Sequence, residues 1–113
     1  MSTVLSIKDV TIANGAAVSD VIKAGGAMFV GIQMPADWTA ANLTILGSAE
    51  GDTYYDVYIA AGTEYVITAA EDRYIILDPA LLAGLRFFKI RSGVTATPVN
   101  QGAERVLKIV MRA

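Results

Sequence analysis

Apolar and polar positions alternate most clearly between Asn42 and Ile59. The first run sets Leu43 and Ile45 on one side of an extended chain and Thr44 on the other. The second sets Tyr55, Val57 and Ile59 on one side and Tyr54, Asp56 and Tyr58 on the other. A period of two is that of a β-strand, whose successive side chains point to opposite faces. Between the runs, Glu50-Gly51-Asp52-Thr53 offers a residue that accepts positive φ and an Asp able to bond its own backbone. The stretch predicts a hairpin with one face buried and one wet.

The same grammar fills the rest of the chain. Residues 3–12 read as a first strand, with Val4 and Leu5 early and Val10 and Ile12 late, closed by Asn14-Gly15. A short second strand spans Val18 to Ile22, and Ala24-Gly25-Gly26 breaks it. Residues 27–33 form a nearly continuous apolar run, the pattern of a central strand. Residues 35–41 predict a helical turn after Pro35 or a structured loop, with Trp38 plugging one end of the core. Thr63 to Ile67 is rich in strand formers. Residues 73–77 follow a polar loop. At Asp78-Pro79 the chain signals a short helix over 79–83: Asp78 can cap it, Pro79 suits its first position, and Gly84 can end it in a left-handed conformation. Leu85 to Arg91 alternates apolar and basic residues, Ser92-Gly93 ends that strand, and a loop runs over 92–103. In the last strand Leu107, Ile109 and Met111 share a face, with Lys108 and Arg112 on the other.

About nine short strands, with turn signals every eight to twelve residues or so, predict an all-β, antiparallel β-sandwich of jelly-roll-like form. A single domain over residues 1–113 is expected. No long helical periods alternate with the strands, which argues against a parallel α/β sheet.

Composition then sharpens the picture. Hydrophobic residues make up 54% of the chain and its mean hydropathy is +0.48, high for a soluble monomer. Alanine accounts for part of this. The surplus suits subunit contact or an unusually well-filled core. Cysteine and histidine are both absent, which excludes disulfides, thiolate chemistry, the commonest general base and the usual zinc ligand. A net charge of −2 argues against nucleic acid as a partner. Residues 1–60 hold two bases against six acids, and residues 61–113 hold seven against five. Surviving in space, that asymmetry would suit head-to-tail packing of identical subunits. The N-terminus lacks the pattern of a signal peptide, and no apolar run approaches the roughly 18 residues of a membrane span. Synthesis and assembly in the cytoplasm, with no membrane partner, are expected.

Catalytic signals are weak. Ser-His-Asp and Cys-His arrangements are impossible here, and nothing brings a Ser-Lys pair together. Glu50, Asp52 and Asp56 could in principle act on a glycoside or hold calcium. Their spacing is not that of an EF-hand, and acids beside a hairpin turn are ordinarily solvated. Neither an enzyme nor a cofactor or metal is expected. The Asn42-Leu43-Thr44 sequon carries no meaning without secretion, and Gly25-Gly26 lacks the Lys and helix of a phosphate loop.

Aromatic residues raise sugar binding, because exposed rings stack on pyranose faces, although neighbouring aromatics on strands more often pack across strands. Tyr54 and Tyr58, opposite Tyr55, are the better exposed candidates; Tyr65 and Trp38 complete the set. Lys89 and Arg91 share a face with Phe87 and could meet an acidic partner, or could form a solvated face with stems over apolar neighbours. The candidate glycan or partner contacts are therefore Trp38, Tyr54, Tyr58, Lys89 and Arg91.

The hairpin of residues 42–59 and the segment Asp78 to Gly93 together resemble small proteins encoded among the virion genes of tailed bacteriophages and prophages, over roughly residues 27–112. Leu85-Arg86-Phe87-Phe88-Lys89-Ile90-Arg91-Ser92-Gly93 also resembles the penultimate strand of discoidin-like jelly rolls. The resemblance implies a two-sheet sandwich that decorates capsids, joins head to tail or carries glycan-binding loops. The expected function is that of a non-enzymatic virion structural protein, assembled in the host cytoplasm. Its expected partners are other capsid or tail proteins and copies of itself. The alternative is a carbohydrate-binding module facing a host surface glycan. The resemblance carries no residue with an assigned role.

Overall fold

Two antiparallel sheets stack face to face in the computed structural model, which describes residues 4–113. Thr3, the start of the strand expected over 3–12, lies outside the described residues. The chain runs through β1 (Leu5–Ile12), β2 (Ile22–Lys23), β3 (Met28–Gln33), β4 (Leu43–Ser48), β5 (Tyr55–Asp56), β6 (Tyr74–Ile76), α1 (Pro79–Leu82), β7 (Phe87–Val94), β8 (Thr97–Pro98) and β9 (Arg105–Arg112). The first sheet has the order β1-β9-β3-β6 and the second β2-β7-β4-β5, with β8 paired to β7. The fold is the all-β sandwich that the alternation predicts.

Side-chain parity explains why the sheets stack. Phe29, Ile32, Leu107, Ile109 and Met111 face inward from the first sheet; Leu43, Ile45, Phe88 and Ile90 face them from the second. Phe29 and Phe88 stack across the gap, with ring centroids 5.0 Å apart and planes 25° from parallel. Burying side chains of this size favours folding by about 1.5–3 kcal/mol each. Trp38 closes one end of this core, and its indole N–H donates to the Ala41 carbonyl at 3.0 Å. No helix forms in that segment, whose residues are bends and loop.

Several elements depart from expectation. The strand expected over 18–22 is broken: Val18 bridges Arg91, and pairing resumes one residue out of register at Ile22–Phe88. The buried Ser19 hydroxyl fills the break by accepting from the Ile90 N–H at 3.0 Å. The second arm of the central hairpin is ladder-paired only at Tyr55 and Asp56. The segment 63–67 forms isolated bridges, Tyr58 to Glu64 and Leu43 to Ile67, in place of a continuous strand. Gly93 does not end β7; the strand turns through it into β8. α1 is one turn, with Asp78 Oδ1 accepting from the Ala80 N–H at 2.9 Å, and it ends at Ala83 in the right-handed region, so Gly84 supplies no left-handed cap.

The acidic first half and basic second half interleave. β9 lies between β1 and β3, Lys108 meets Asp9 at 3.1 Å, and Arg91 meets Asp56 at 2.8 Å. At these positions the lengthwise charge asymmetry is offset within one subunit.

Candidate functional site

Two outward surfaces carry the residues of interest. On the second sheet, β7 places Phe87, Lys89 and Arg91 on the outer face, beside Thr44 and Leu46 of β4. Lys89 sets its ammonium 4.4 Å from the centroid of the Tyr54 ring. That contact closes one face of Tyr54, which is half-buried. Tyr55, expected to face inward, is in fact the most exposed tyrosine at 69%; it lies on the two-residue edge strand β5, opposite Gly47. Tyr58 is exposed as well.

Arg91 is not on a solvated face; it is only 6% exposed. Its Nε donates to Thr44 Oγ1 at 2.9 Å, one terminal nitrogen to Asp56 Oδ1 at 2.8 Å, and the other to Thr95 Oγ1 at 2.7 Å and Glu64 Oε2 at 3.3 Å. Thr95 also hydrogen-bonds Glu64 through its hydroxyl and its backbone N–H. The Thr44 hydroxyl donates onward to the Gly93 carbonyl at 2.8 Å. Every donor nitrogen of the guanidinium thus has a partner inside the chain. The network clasps segment 56–64 and the 95 turn onto β7, which is a structural task.

Of the five candidate contact residues, the structure gathers Tyr54, Lys89 and Arg91 on this face, with Tyr58 nearby through its pairing with Glu64. Trp38 lies apart, 8% exposed, with its rings in the core. It sits beside a cluster that no sequence pattern signalled. Gln101, buried, accepts from the Thr39 N–H at 2.9 Å and donates to the Thr39 carbonyl at 3.0 Å and to Ser92 Oγ at 2.7 Å. Its backbone pairs with Gly15 and Ala16. A lone glutamine in a loop has no period to betray it.

Grooves flank the hairpin and the Gly25-Gly26 turn. The first, about 240 Å³, is lined by Ser48, Glu50, Asp52, Thr53 and Tyr55. The second, about 440 Å³, lies between Gly25-Gly26 and the end of α1. Among the described residues no three acidic side chains stand close enough to hold a metal ion. Burial, and next the charge of Asp78, pushes the Tyr65 phenol above its ordinary value of 10.0.

The other surface is the outer face of the first sheet. By register, Leu5 and Ile7 of β1, Val110 of β9, Gly31 of β3, and Tyr74 and Ile76 of β6 share that face. Ile76 is 78% exposed, Leu5 62%, Tyr74 56% and Ile7 55%. A groove of about 260 Å³, walled mainly by Leu5, Val30, Tyr74, Ile76, Pro79 and Val110, runs across it. The same register also sets Asp9, Gln33, Lys108 and Arg112 on this face, around the apolar residues. The exposed apolar residues stand on the two outer strands, Leu5 and Ile7 on β1 and Tyr74 and Ile76 on β6, with buried Gly31 and Val110 between them. No family model matches the chain, and no curated protein or solved structure matches it either.

Proposed function

We propose that this protein is a non-enzymatic structural component of a tailed-phage or prophage virion, acting by protein–protein assembly as a capsid-decorating, head–tail or tail-associated subunit. The observation that carries the assembly reading is the exposure of apolar residues on the outer face of the first sheet, along its two outer strands. Such a face is stabilised when it is removed from water against a protein neighbour. The virion setting rests on the resemblance of the central hairpin and the 78–93 segment. The absence of His and Cys narrows the enzymatic alternatives. Light scattering at micromolar concentration, together with co-sedimentation on phage capsids and tails, tests the reading. Self-association or particle binding is expected. A protein that stays monomeric and leaves every particle unbound overturns it.

A second reading, a carbohydrate-binding module on the same kind of particle, is favoured by one observation: Tyr55 and Tyr58 both stand exposed on the hairpin arm. A glycan array tests it. Binding that is lost in a Tyr54→Ala, Tyr58→Ala double variant or in Tyr55→Ala would support it. Binding by none of the arrayed glycans would dismiss it.

A further inference from the structure

We infer that β1 is a self-pairing edge: two copies of this chain join antiparallel through Val4–Lys8 about a two-fold axis at Ser6, making one continuous eight-stranded sheet. The inference rests on the assembly reading and names its partner, a second copy.

The edge is open and long. Among the described residues β1 ends the first sheet, with β9 on one side only. It pairs over eight residues, whereas the other sheet edges are two- or three-residue strands. Thr11 gives its N–H to Asp20 Oδ1 at 2.8 Å and its carbonyl to the Asp20 N–H at 3.3 Å, so its backbone polar groups point away from β9. In an antiparallel pair this direction alternates with each residue. The N–H and C=O of Leu5, Ile7 and Asp9 therefore also point outward, along the free edge. Asp20 blunts the edge only at Thr11. Residues 4–9 are exposed on both faces.

Edge strands are usually guarded by charge, proline or a bulge. β1 has no proline, and its ladder with β9 runs without a register shift. Its two charges are tied back within the chain: Lys8 Nζ donates to the Lys23 carbonyl at 2.8 Å, and Asp9 accepts from Lys108 at 3.1 Å. The guard residues are spent elsewhere.

Symmetry then selects the register. With the axis at Ser6, Leu5 of one copy faces Ile7 of the other in a hydrogen-bonded pair, Ile7 faces Leu5, and Lys8 faces Val4. No like charges oppose, and the four apolar side chains come together from the exposed faces of both copies. Moving the axis to Ile7 would set Leu5 against Asp9 and lose that match. Five paired residues bury far less than the roughly 1,600 Å² of a standard interface, so this dimer alone is weak and suits capture by a cross-link.

The chain has no cysteine, so an introduced one reports alone. In Ser6→Cys the two sulfurs meet across a non-hydrogen-bonded pair, whose Cα separation of about 4.5 Å lies within disulfide reach. Under mild oxidation, non-reducing electrophoresis should show a reducible dimer as the main species. Leu5→Cys and Lys8→Cys place their sulfurs two and four residues out of step, beyond the roughly 7 Å limit, and should stay monomeric. Ile7→Pro removes only an outward N–H and should abolish the Ser6→Cys cross-link while the far-ultraviolet spectrum stays β. A Ser6→Cys protein that remains monomeric overturns the inference, as does equal cross-linking at all three positions. If the wild-type chain self-associates while Ser6→Cys does not cross-link, the edge is wrong and the assembly reading stands. If the wild-type chain neither self-associates nor binds particles, the assembly reading fails with it.

Discussion

Arg91 holds a full positive charge almost out of water, and two partly exposed carboxylates and two threonine hydroxyls share it. Replacing one partner of such a network costs more than replacing the whole, because the remaining charges keep their desolvation without their counter-ion. Arg91→Met should lower unfolding free energy by about 1–3 kcal/mol in urea titration, the lower end reflecting the water that still reaches Asp56 and Glu64. Adding Asp56→Leu and Glu64→Met should restore most of that loss. A triple variant no more stable than Arg91→Met would mean that the network adds more than charge balance. Tyr65 gives a test with a defined sign. Burial raises its folded value above 10.0, so on going alkaline the unfolded chain releases this proton first. The unfolded state then binds fewer protons, and stability falls as pH rises from about 10 upward. Tyr65→Phe should show a shallower loss of urea midpoint than the wild type between about pH 9 and 11, and parallel curves would contradict the assignment.

At the scale of elements, the β7–β8 turn depends on one residue. Gly93 has φ +92, and a Cβ there would stand 2.5 Å from the Thr97 carbonyl oxygen and 2.7 Å from the Val99 nitrogen, both backbone atoms. Gly93→Ala should therefore cost about 3 kcal/mol or more, measured by thermal unfolding, since neither the left-handed backbone nor the close approach can relax. The change would also loosen the Thr95 side of the Arg91 clasp. This same glycine shows where sequence reasoning stopped. Ser92-Gly93 reads as a strand end because glycine is ordinary punctuation; only the approach of 97–99 makes it part of a hairpin. β4, β7 and β9 were legible from their alternation and β3 from its nearly continuous apolar run, whereas β1 was legible from apolar residues at its two ends, of which Val10 and Ile12 are buried and Leu5 is not. The segment 63–67 has the composition of a strand yet pairs only at isolated points, because its ladder partners are set by the loop from Ile59 and not by its own propensity. Arg91 was misread for the opposite reason. A basic residue at alternate positions ordinarily faces water, and its burial depends on Asp56 and Glu64, 35 and 27 residues away, together with nearby Thr95. Of the contact candidates, Tyr54 and Lys89 meet only through the pairing of separate strands, which alternation within either one does not give, whereas Trp38 went to the core, where its size alone would send it.

Over the whole molecule the two sheets present unlike outer faces. The second sheet covers its outer side with Lys89, Tyr54 and the Arg91 network, while the first leaves Leu5, Ile7, Tyr74 and Ile76 in water. The charge along the chain is partly neutralised inside the subunit, through Asp9–Lys108 and Asp56–Arg91. Assembly through the first sheet should then be driven by apolar burial and not by opposed charges. The two mechanisms separate under salt. Screening shortens the reach of exposed charges from about 10 Å at 0.1 M to about 3 Å at 1 M ionic strength, whereas apolar burial is not screened. Light scattering across that range should show self-association unchanged or strengthened. Ile76→Lys combined with Tyr74→Lys should reduce it several-fold while changing stability by no more than about 0.5 kcal/mol, because both side chains are exposed on a sheet edge. Association that collapses with salt would move the contact onto the charged face, and association that survives both lysines would exclude the β6 side of this face and leave the β1 edge as the contact.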